Sequence, residues 1–112
     1  MSSDRMRRVN EAVREVLSDA IKLLKDPRVG FVTATDVRTS PDLRHAKVFV
    51  SVLGTEAERA DTMAGLASAH GVLQTAVNRE LRMKRTPTLE FVHDDSVDRG
   101  FRIGEIIEEH DQ

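Results

Sequence analysis

A strict alternation of apolar and polar residues limits what one stretch of this chain can form. Between Leu43 and Leu53, small apolar residues occupy every second position: Ala46, Val48, Val50 and Val52. A period of two predicts a β-strand with one face on a core. The run from Val29 to Thr39 is also rich in Val and Thr, and Ser40-Pro41-Asp42 between the two runs is typical of a turn. Together they predict an antiparallel hairpin.

Helical periodicity precedes and follows this hairpin. Ser3 to Lys25 predicts an amphipathic helix, which Asp26-Pro27 ends because proline disfavours a helical conformation in the residue before it. Its apolar stripe comprises Val9, Val13, Val16, Leu17, Ala20, Ile21 and Leu24. Thr55-Glu56-Ala57-Glu58 predicts a capping box and a second helix. The apolar face expected for that helix comprises Ala60, Met63, Ala64 and Ala67.

The helical pattern is broken at Ala69-His70-Gly71, where a glycine in a helix interior would cost about 1 kcal/mol against alanine. A further helical pattern then runs through Leu73, Ala76, Val77 and Leu81, and Pro87 opens a strand over Thr88–His93. A last short helix is predicted from Asp95 and Asp98, with Ile103, Ile106 and Ile107 as its buried stripe.

The predicted order is therefore α-β-β-α-α-β, with the further short helix after it. We expect an α+β fold, a two-layer sandwich in which helices cover one face of a three-stranded sheet. The third strand is reached through helices, so it can lie parallel to a hairpin strand and give a mixed sheet.

Length and composition restrict the class of protein. A chain of 112 residues predicts one domain, over residues 1–112. The absence of cysteine excludes disulfides and thiolate metal sites. No apolar run approaches the roughly 18 residues that a membrane span requires, and no secretory signal is evident. These features predict a cytoplasmic protein that does not enter a membrane.

Charge is divided unevenly along the chain. Residues 1–89 contain fifteen Lys and Arg against eleven Asp and Glu, a balance of +4. Residues 90–112 contain two against eight, a balance of −6, which gives the net −2 and leaves a short acidic tail at about 105–112. Nucleic-acid binding depends on a local basic face, so the net charge does not exclude an RNA partner.

Four cations lie close together near the end of the interrupted helix: Arg79, Arg82, Lys84 and Arg85. One interpretation is compensation of the helix dipole, and the other is binding to RNA phosphates. The residues alone do not decide between them. A second group, Arg5, Arg7 and Arg8, would favour RNA if the fold places it nearby.

Catalytic and metal-binding patterns are absent from the sequence. The four histidines His45, His70, His93 and His110 show no ligand spacing, and helix capping explains Asp94-Asp95 more simply than acid–base catalysis does. We therefore predict no enzyme activity, no metal and no cofactor. All four phenylalanines, Phe31, Phe49, Phe91 and Phe101, are expected in the core rather than stacked on bases.

Three blocks carry a resemblance to a known family. They are RVNEAVREVLSDAI, VTATDVRTSPDLRHAKVFVSVLG and LRMKRTPTLEFVHDDSVDRG, which together with the predicted order account for nearly the whole chain. The order resembles a type II KH domain, and the blocks resemble the bacterial ribosome-binding factor A family. In that family an interrupted helix replaces the GxxG loop with which KH domains hold RNA. The resemblance implies that Gly71 forms a kink or a left-handed residue at this interruption.

The resemblance implies a binding site at Ala69, His70 and Gly71, where the RNA backbone would approach. His70 has two interpretations, an RNA contact or a solvated kink residue. Arg82, Lys84 and Arg85 would neutralise phosphates, and Arg79, Arg5, Arg7 and Arg8 would add long-range attraction. Binding would be led by charge and shape.

The implied function is non-enzymatic and ribosomal. The family binds the small (30S) ribosomal subunit and its 16S rRNA near the 5′-terminal helix. It supports late maturation and 5′-end processing, especially in the cold. The resemblance leaves open whether a ribosome-assembly GTPase removes the protein, and a monomer is expected. The alternatives are a KH-type module that binds another RNA, and a protein–protein adaptor that uses the sheet or the acidic tail.

Overall fold

The structure, a computed structural model, describes residues 2–94. The helices are α1 (Ser2–Lys22), α2 (Glu56–Ser68) and α3 (His70–Leu81), and the strands are β1 (Phe31–Thr39), β2 (His45–Leu53) and β3 (Thr88–His93). The predicted α-β-β-α-α-β order is confirmed. The helix expected after Asp95 and the acidic tail at about 105–112 lie outside the described residues.

The three strands form one mixed sheet with β2 at its centre. β2 pairs antiparallel with β1 and parallel with β3, and His45 lies opposite Thr88 in the parallel pair. A bulge at Thr35 shifts the β1–β2 register, since Ala34 faces Val50 and Asp36 faces Phe49. The crossover through α2 and α3 makes the parallel pairing feasible, as the sequence indicated.

The core lies between one face of the sheet and the helices. The alternation of β2 is confirmed, because Ala46, Val48 and Val50 are fully buried while Lys47 is exposed. These side chains pack with Val13 and Leu17 of α1 and with Leu73 and Val77 of α3. Burial of each such Val or Leu contributes roughly 1.5–3 kcal/mol relative to exposure.

The buried face of α2 differs from the one expected. Thr62, Gly65 and Leu66 are buried, whereas Ala60, Ala64 and Ala67 are exposed and Met63 is half-buried. The prediction was wrong because alanine has little hydrophobic area, so the segment that packs against the helix decides which face is buried.

That segment is the loop before β1. The Thr62 hydroxyl accepts a hydrogen bond from the Gly30 N–H (3.1 Å) and donates to the Arg28 carbonyl (3.3 Å). A Cβ at Gly65 would lie 2.6 Å from the Cγ2 of Val29. The loop therefore approaches α2 more closely than a side chain at position 65 would permit.

The phenylalanines do not share one environment. Phe91 packs against the core, and Phe49 is half-buried with the Arg38 guanidinium 5.4 Å from its ring centre. Phe31 is 81% exposed, so its expected core position was wrong, and its β2 partner Leu53 is 77% exposed. Phe101 lies outside the described residues. No helix within residues 2–94 is long and apolar enough to cross a membrane.

Candidate nucleic-acid interface

The first turns of α1 project past the end of β1. Asn10 accepts hydrogen bonds from the backbone N–H and the hydroxyl of Thr39, the last residue of β1. The chain then returns to Phe31, the first residue of β1, directly after α1, so helix and strand are antiparallel. Arg5, Arg7 and Arg8 precede Asn10 and therefore lie at the same end of the fold as the hairpin turn.

α3 ends on the same side of the molecule. Its first turn shares a cleft with the residues that directly follow α1, since Leu23, Leu24, Gly71 and Val72 all line it, so the two helices are antiparallel. The segment after α3 leads into β3, whose Thr88 N–H donates to the Arg44 carbonyl of the hairpin turn at 2.8 Å. The fold thus gathers basic residues from three separate segments at one end.

We call this surface the basic end. It comprises the start of α1, the hairpin turn, and the connection that follows α3. Its cations are Arg5, Arg7, Arg8, Arg44, Arg82, Lys84 and Arg85. Arg79 lies further back along α3, in a cleft with Glu15 and Asp19 of α1. The sequence favours an RNA interpretation if the N-terminal arginines lie near the cations that follow α3. The topology supports this condition, because it places both groups at the same end of the fold.

The side chains of four cations at the end of α3 and beyond it have no partner in the described residues. Within residues 4–94, the side chains of Arg79, Arg82, Lys84 and Arg85 form no ion pair or hydrogen bond. By contrast, Arg14 pairs with Glu11, and Arg28 pairs with Asp26. At the start of α1, Arg7 pairs with Asp4 at 3.2 Å. Within this part of the chain, an anionic ligand would have no ion pair to displace at these four side chains.

Helix-dipole compensation accounts for only part of this cluster. Arg79 is the basic residue in the last turn of α3. Arg82 caps the helix in a left-handed conformation (φ 47°), and Lys84 and Arg85 lie beyond it in the connection. The dipole effect falls off within the last turn, so the charge beyond Arg82 requires another explanation.

The interrupted helix is formed differently from the expectation. Ala69, with φ −88° and ψ 5°, ends α2 and caps α3, and its N–H and carbonyl continue the hydrogen-bond ladder to Gly65 and Leu73. Gly71 lies inside α3 without a positive φ, so the predicted kink or left-handed residue there was wrong. A Cβ at Gly71 would meet nothing within 4 Å. The backbone at this position is therefore open to a ligand.

His70 is half-buried against β3. Its Nε2 lies 2.8 Å from the Leu89 carbonyl oxygen, and its ring meets the Phe91 ring edge-on at 6.4 Å. A carbonyl oxygen only accepts hydrogen bonds, so this contact assigns a proton to Nε2. The ring has a structural contact, unlike a solvated kink residue.

The predicted site residues fall into two groups. Ala69, His70 and Gly71 lie at the start of α3, and Arg82, Lys84 and Arg85 lie beyond its end. The helix has twelve residues, which separates the groups by roughly 18 Å. Between them runs a cleft of about 650 Å³ along α1 and α3 that includes Gly71, Thr75 and Arg79.

Comparison with known proteins identifies the chain. The sequence model of the family described as Ribosome-binding factor A matches residues 5–107. The chain belongs to the ribosome-binding factor A family. A ribosome-binding factor A of Halothermothrix orenii is 45% identical over 108 residues, covering 96% of this chain and 88% of the relative.

Solved structures of the ribosome-binding factor A family share the fold. The solution NMR structure of a Thermotoga maritima protein described as a ribosome binding factor A has a TM-score of 0.74 at 35% identity, covering 82% of this chain and 89% of that one. A Thermus thermophilus ribosome binding factor A, fitted as a homology model into the cryo-EM map of a 30S complex, has a TM-score of 0.66 at 30% identity. It covers 77% of this chain and 91% of that one.

Sequence reasoning missed two residues of the basic end in this member of the ribosome-binding factor A family. Arg44 and His45 share a cleft of about 520 Å³ with Arg85, Thr86 and Thr88. Arg44 follows the Ser-Pro-Asp turn and is far from Arg85 along the chain, so only the parallel pairing of β2 with β3 reveals their proximity. Within residues 2–94, no three His, Asp or Glu side chains are grouped to hold a metal ion.

Proposed function

We propose that this protein is a non-enzymatic ribosome-binding factor that binds the small (30S) ribosomal subunit through phosphates of its 16S rRNA. The observation that carries the proposal is the basic end itself, which brings together cations from three segments. Within residues 4–94, the side chains of Arg82, Lys84 and Arg85 have no ion-pair partner. Membership of the ribosome-binding factor A family and the likeness to a relative fitted into a 30S complex support the choice of partner.

The proposed mechanism is physical. A protein that binds one conformation of the rRNA more tightly than another shifts the population toward that conformation, without covalent chemistry. Held near the 5′-terminal helix, it would support late maturation and 5′-end processing of 16S rRNA, most of all in the cold. Ala69, His70 and Gly71 would supply a second contact, where an exposed backbone allows close approach. The proposed setting is the cytoplasm, with the protein as a monomer.

Binding to purified 30S subunits at several salt concentrations tests this proposal. Each lost phosphate contact lowers the slope of log K against log salt by about one. A Lys84→Glu, Arg85→Glu double variant should therefore bind more weakly and with a slope lower by about two. The control is Ala57→Glu, Ala60→Glu, which adds negative charge at two exposed positions near the start of α2, away from both proposed contacts.

Circular dichroism would establish that both double variants are folded. Equal binding by wild type, basic-end variant and control would refute the assigned surface. Binding that does not respond to salt would favour the protein–protein adaptor, and a wild type that binds RNA but not subunits would favour a KH-type module for another RNA.

The maturation role has its own test. Cells that lack the protein should accumulate 16S rRNA with an unprocessed 5′ end at low temperature, and the Lys84→Glu, Arg85→Glu variant should not restore processing. Primer extension locates the 5′ end. Normal processing in cells that lack the protein would contradict the maturation role while leaving ribosome binding intact.

A further inference from the structure

We propose that the cleft between the hairpin turn and the α3–β3 connection is a phosphate-binding subsite, in which Arg44 and Arg85 hold one phosphodiester of the bound RNA. This inference rests on the proposed function for the identity of the ligand. It adds a named contact that the sequence did not predict and that is separate from the interrupted helix.

The fold sets the two arginines on facing walls of one cleft. Arg44 ends the hairpin turn and Arg85 belongs to the connection, and the hydrogen bond from the Thr88 N–H to the Arg44 carbonyl (2.8 Å) joins these two segments. The cleft they enclose measures about 520 Å³ and includes His45, Thr86 and Thr88. It lies at the end of α3 away from Gly71.

The chemistry of the lining suits a phosphate. Its five residues are two arginines, one histidine and two threonines, and none carries a carboxylate. Arginine, threonine hydroxyls and backbone N–H groups are the usual protein donors to phosphate oxygens. Arginine can also donate two parallel hydrogen bonds to one phosphate.

The nearest competing anion is already engaged. Asp42 accepts from the Ser40 hydroxyl at 2.6 Å and from the Arg44 backbone N–H at 3.1 Å. The Arg44 Nε is 3.9 Å from the second carboxylate oxygen, and the Arg44 side chain is 62% exposed. An exposed ion pair of this length contributes little, so it does not prevent Arg44 from binding a ligand. Arg85 has no partner within the described part of the chain.

Hydrogen bonds hold the backbone on both sides of the cleft. In the turn, the Ser40 N–H donates to the His45 carbonyl at 2.8 Å, and Leu43 takes a left-handed conformation with φ 61°. In the connection, Pro87 is buried and its carbonyl accepts from the Gln74 amide at 2.9 Å. A backbone that is already ordered loses less entropy on binding, which favours a specific subsite over diffuse attraction.

Affinity of single and double variants for 30S subunits tests the subsite. Arg44→Ala should weaken binding about tenfold and lower the salt slope by about one, and Arg44→Lys should restore part of the loss. If both arginines hold the same phosphate, the Arg44→Ala, Arg85→Ala double variant loses less than the product of the two single losses. Ala57→Glu, at an exposed position near the start of α2, makes the same change in net charge and is the control.

A photo-reactive group attached at Thr86 gives an independent readout. It should cross-link to one region of 16S rRNA, and Arg44→Ala should reduce the yield. Wild-type affinity in a folded Arg44→Ala variant would overturn the subsite, as would strictly multiplicative losses, which indicate two separate phosphates. If Arg44→Ala binds normally while Lys84→Glu, Arg85→Glu fails to bind, only the subsite is wrong. Failure of the wild type to bind subunits would instead refute the proposed function.

Discussion

The Nε2–H of His70 donates a hydrogen bond to the backbone carbonyl of Leu89 at 2.8 Å. On the same residue of β3, the Leu89 N–H donates to the side-chain carbonyl of Gln74 at 2.9 Å. β3 is an edge strand, and the carbonyl and N–H of Leu89 form hydrogen bonds with side chains of α3 instead of with another strand. Side chains of α3 therefore protect an edge that could otherwise pair with another chain.

A substitution of His70 can separate a structural role from the RNA contact that the sequence analysis also considered. His70→Ala should lower the free energy of unfolding by about 1–2 kcal/mol, because it removes a hydrogen bond to a half-buried carbonyl. Urea denaturation measures the change. His93→Ala is the control, since His93 is also half-buried but its side chain forms no hydrogen bond within residues 4–94. Unchanged stability together with weaker subunit binding would instead identify His70 as an RNA contact.

Two helical glycines should respond oppositely to alanine. Gly65→Ala should lower the free energy of unfolding by about 1–3 kcal/mol, because the new Cβ would lie 2.6 Å from Val29 Cγ2. Gly71→Ala should be neutral or stabilising by up to about 1 kcal/mol, because it lies in a helix with open space around it. Denaturant midpoints compare the pair, and equal effects would contradict this account of α2.

Gly71→Ala also tests the proposed second RNA contact. A variant that folds as well as wild type but binds subunits more weakly would show that the bare backbone at this position meets the ligand. Full affinity would show that Gly71 makes no RNA contact and would leave the basic end as the proposed site.

Thr62 is a buried polar residue whose hydroxyl is fully used. Thr62→Val keeps its shape but leaves the Gly30 N–H without its acceptor, so the free energy of unfolding should fall by about 1–3 kcal/mol. Thermal unfolding provides the measurement. Thr33→Val, at an exposed position of β1, is the matched control and should be close to neutral. A stabilised Thr62→Val variant would show that apolar packing between α2 and the loop contributes more to stability than the hydrogen bonds of the Thr62 hydroxyl.

Asp26 should contribute to the loss of stability in acid. The Arg28 guanidinium, followed by the Arg28 backbone N–H, holds the pKa of the Asp26 carboxyl below its ordinary value. A folded-state pKa lower than the unfolded one gives stability that is complete above the unfolded pKa. That stability is lost as the pH falls through the folded value. Stability should therefore decline below about pH 4.

The matching variant is Asp26→Asn, followed by thermal unfolding between neutral and acid pH. It should be less stable than wild type at neutral pH, and the difference should shrink in acid. Asp19→Asn is the control, since Asp19 is exposed and its side chain forms no hydrogen bond in the described residues. Parallel pH curves for wild type and Asp26→Asn would exclude this carboxyl as a source of acid sensitivity.

The elements that the sequence predicted well share a strong periodicity or a clear boundary. β3 was predicted over Thr88–His93 and observed there, because Pro87 marks its start. The capping box at Thr55 and Glu58 forms both of its hydrogen bonds. The Glu58 carboxylate accepts from the Thr55 N–H at 3.0 Å, and the Thr55 hydroxyl accepts from the Glu58 N–H at 3.1 Å. In these cases the determining contacts are local, so the sequence contains them.

The failures depend on contacts between distant residues. The face of α2 is set by Val29 and Gly30, and the exposure of Phe31 reflects its place at the end of β1 rather than its hydrophobicity. Arg44 was identified as a candidate site residue only because the structure places it in one cleft with Arg85. Pattern and composition do not encode such pairings, because they follow from strand order and register.

The basic end has a consequence for how the protein is made. Its three contributing segments meet only after β3 has aligned with β2, the most nonlocal pairing of the sheet. A nascent or partly unfolded chain carries the same cations, but scattered along a coil, and loses the fixed spacing between Arg44 and Arg85. We therefore expect only correctly folded molecules to bind the ribosome tightly, so that binding depends on completed folding of the protein.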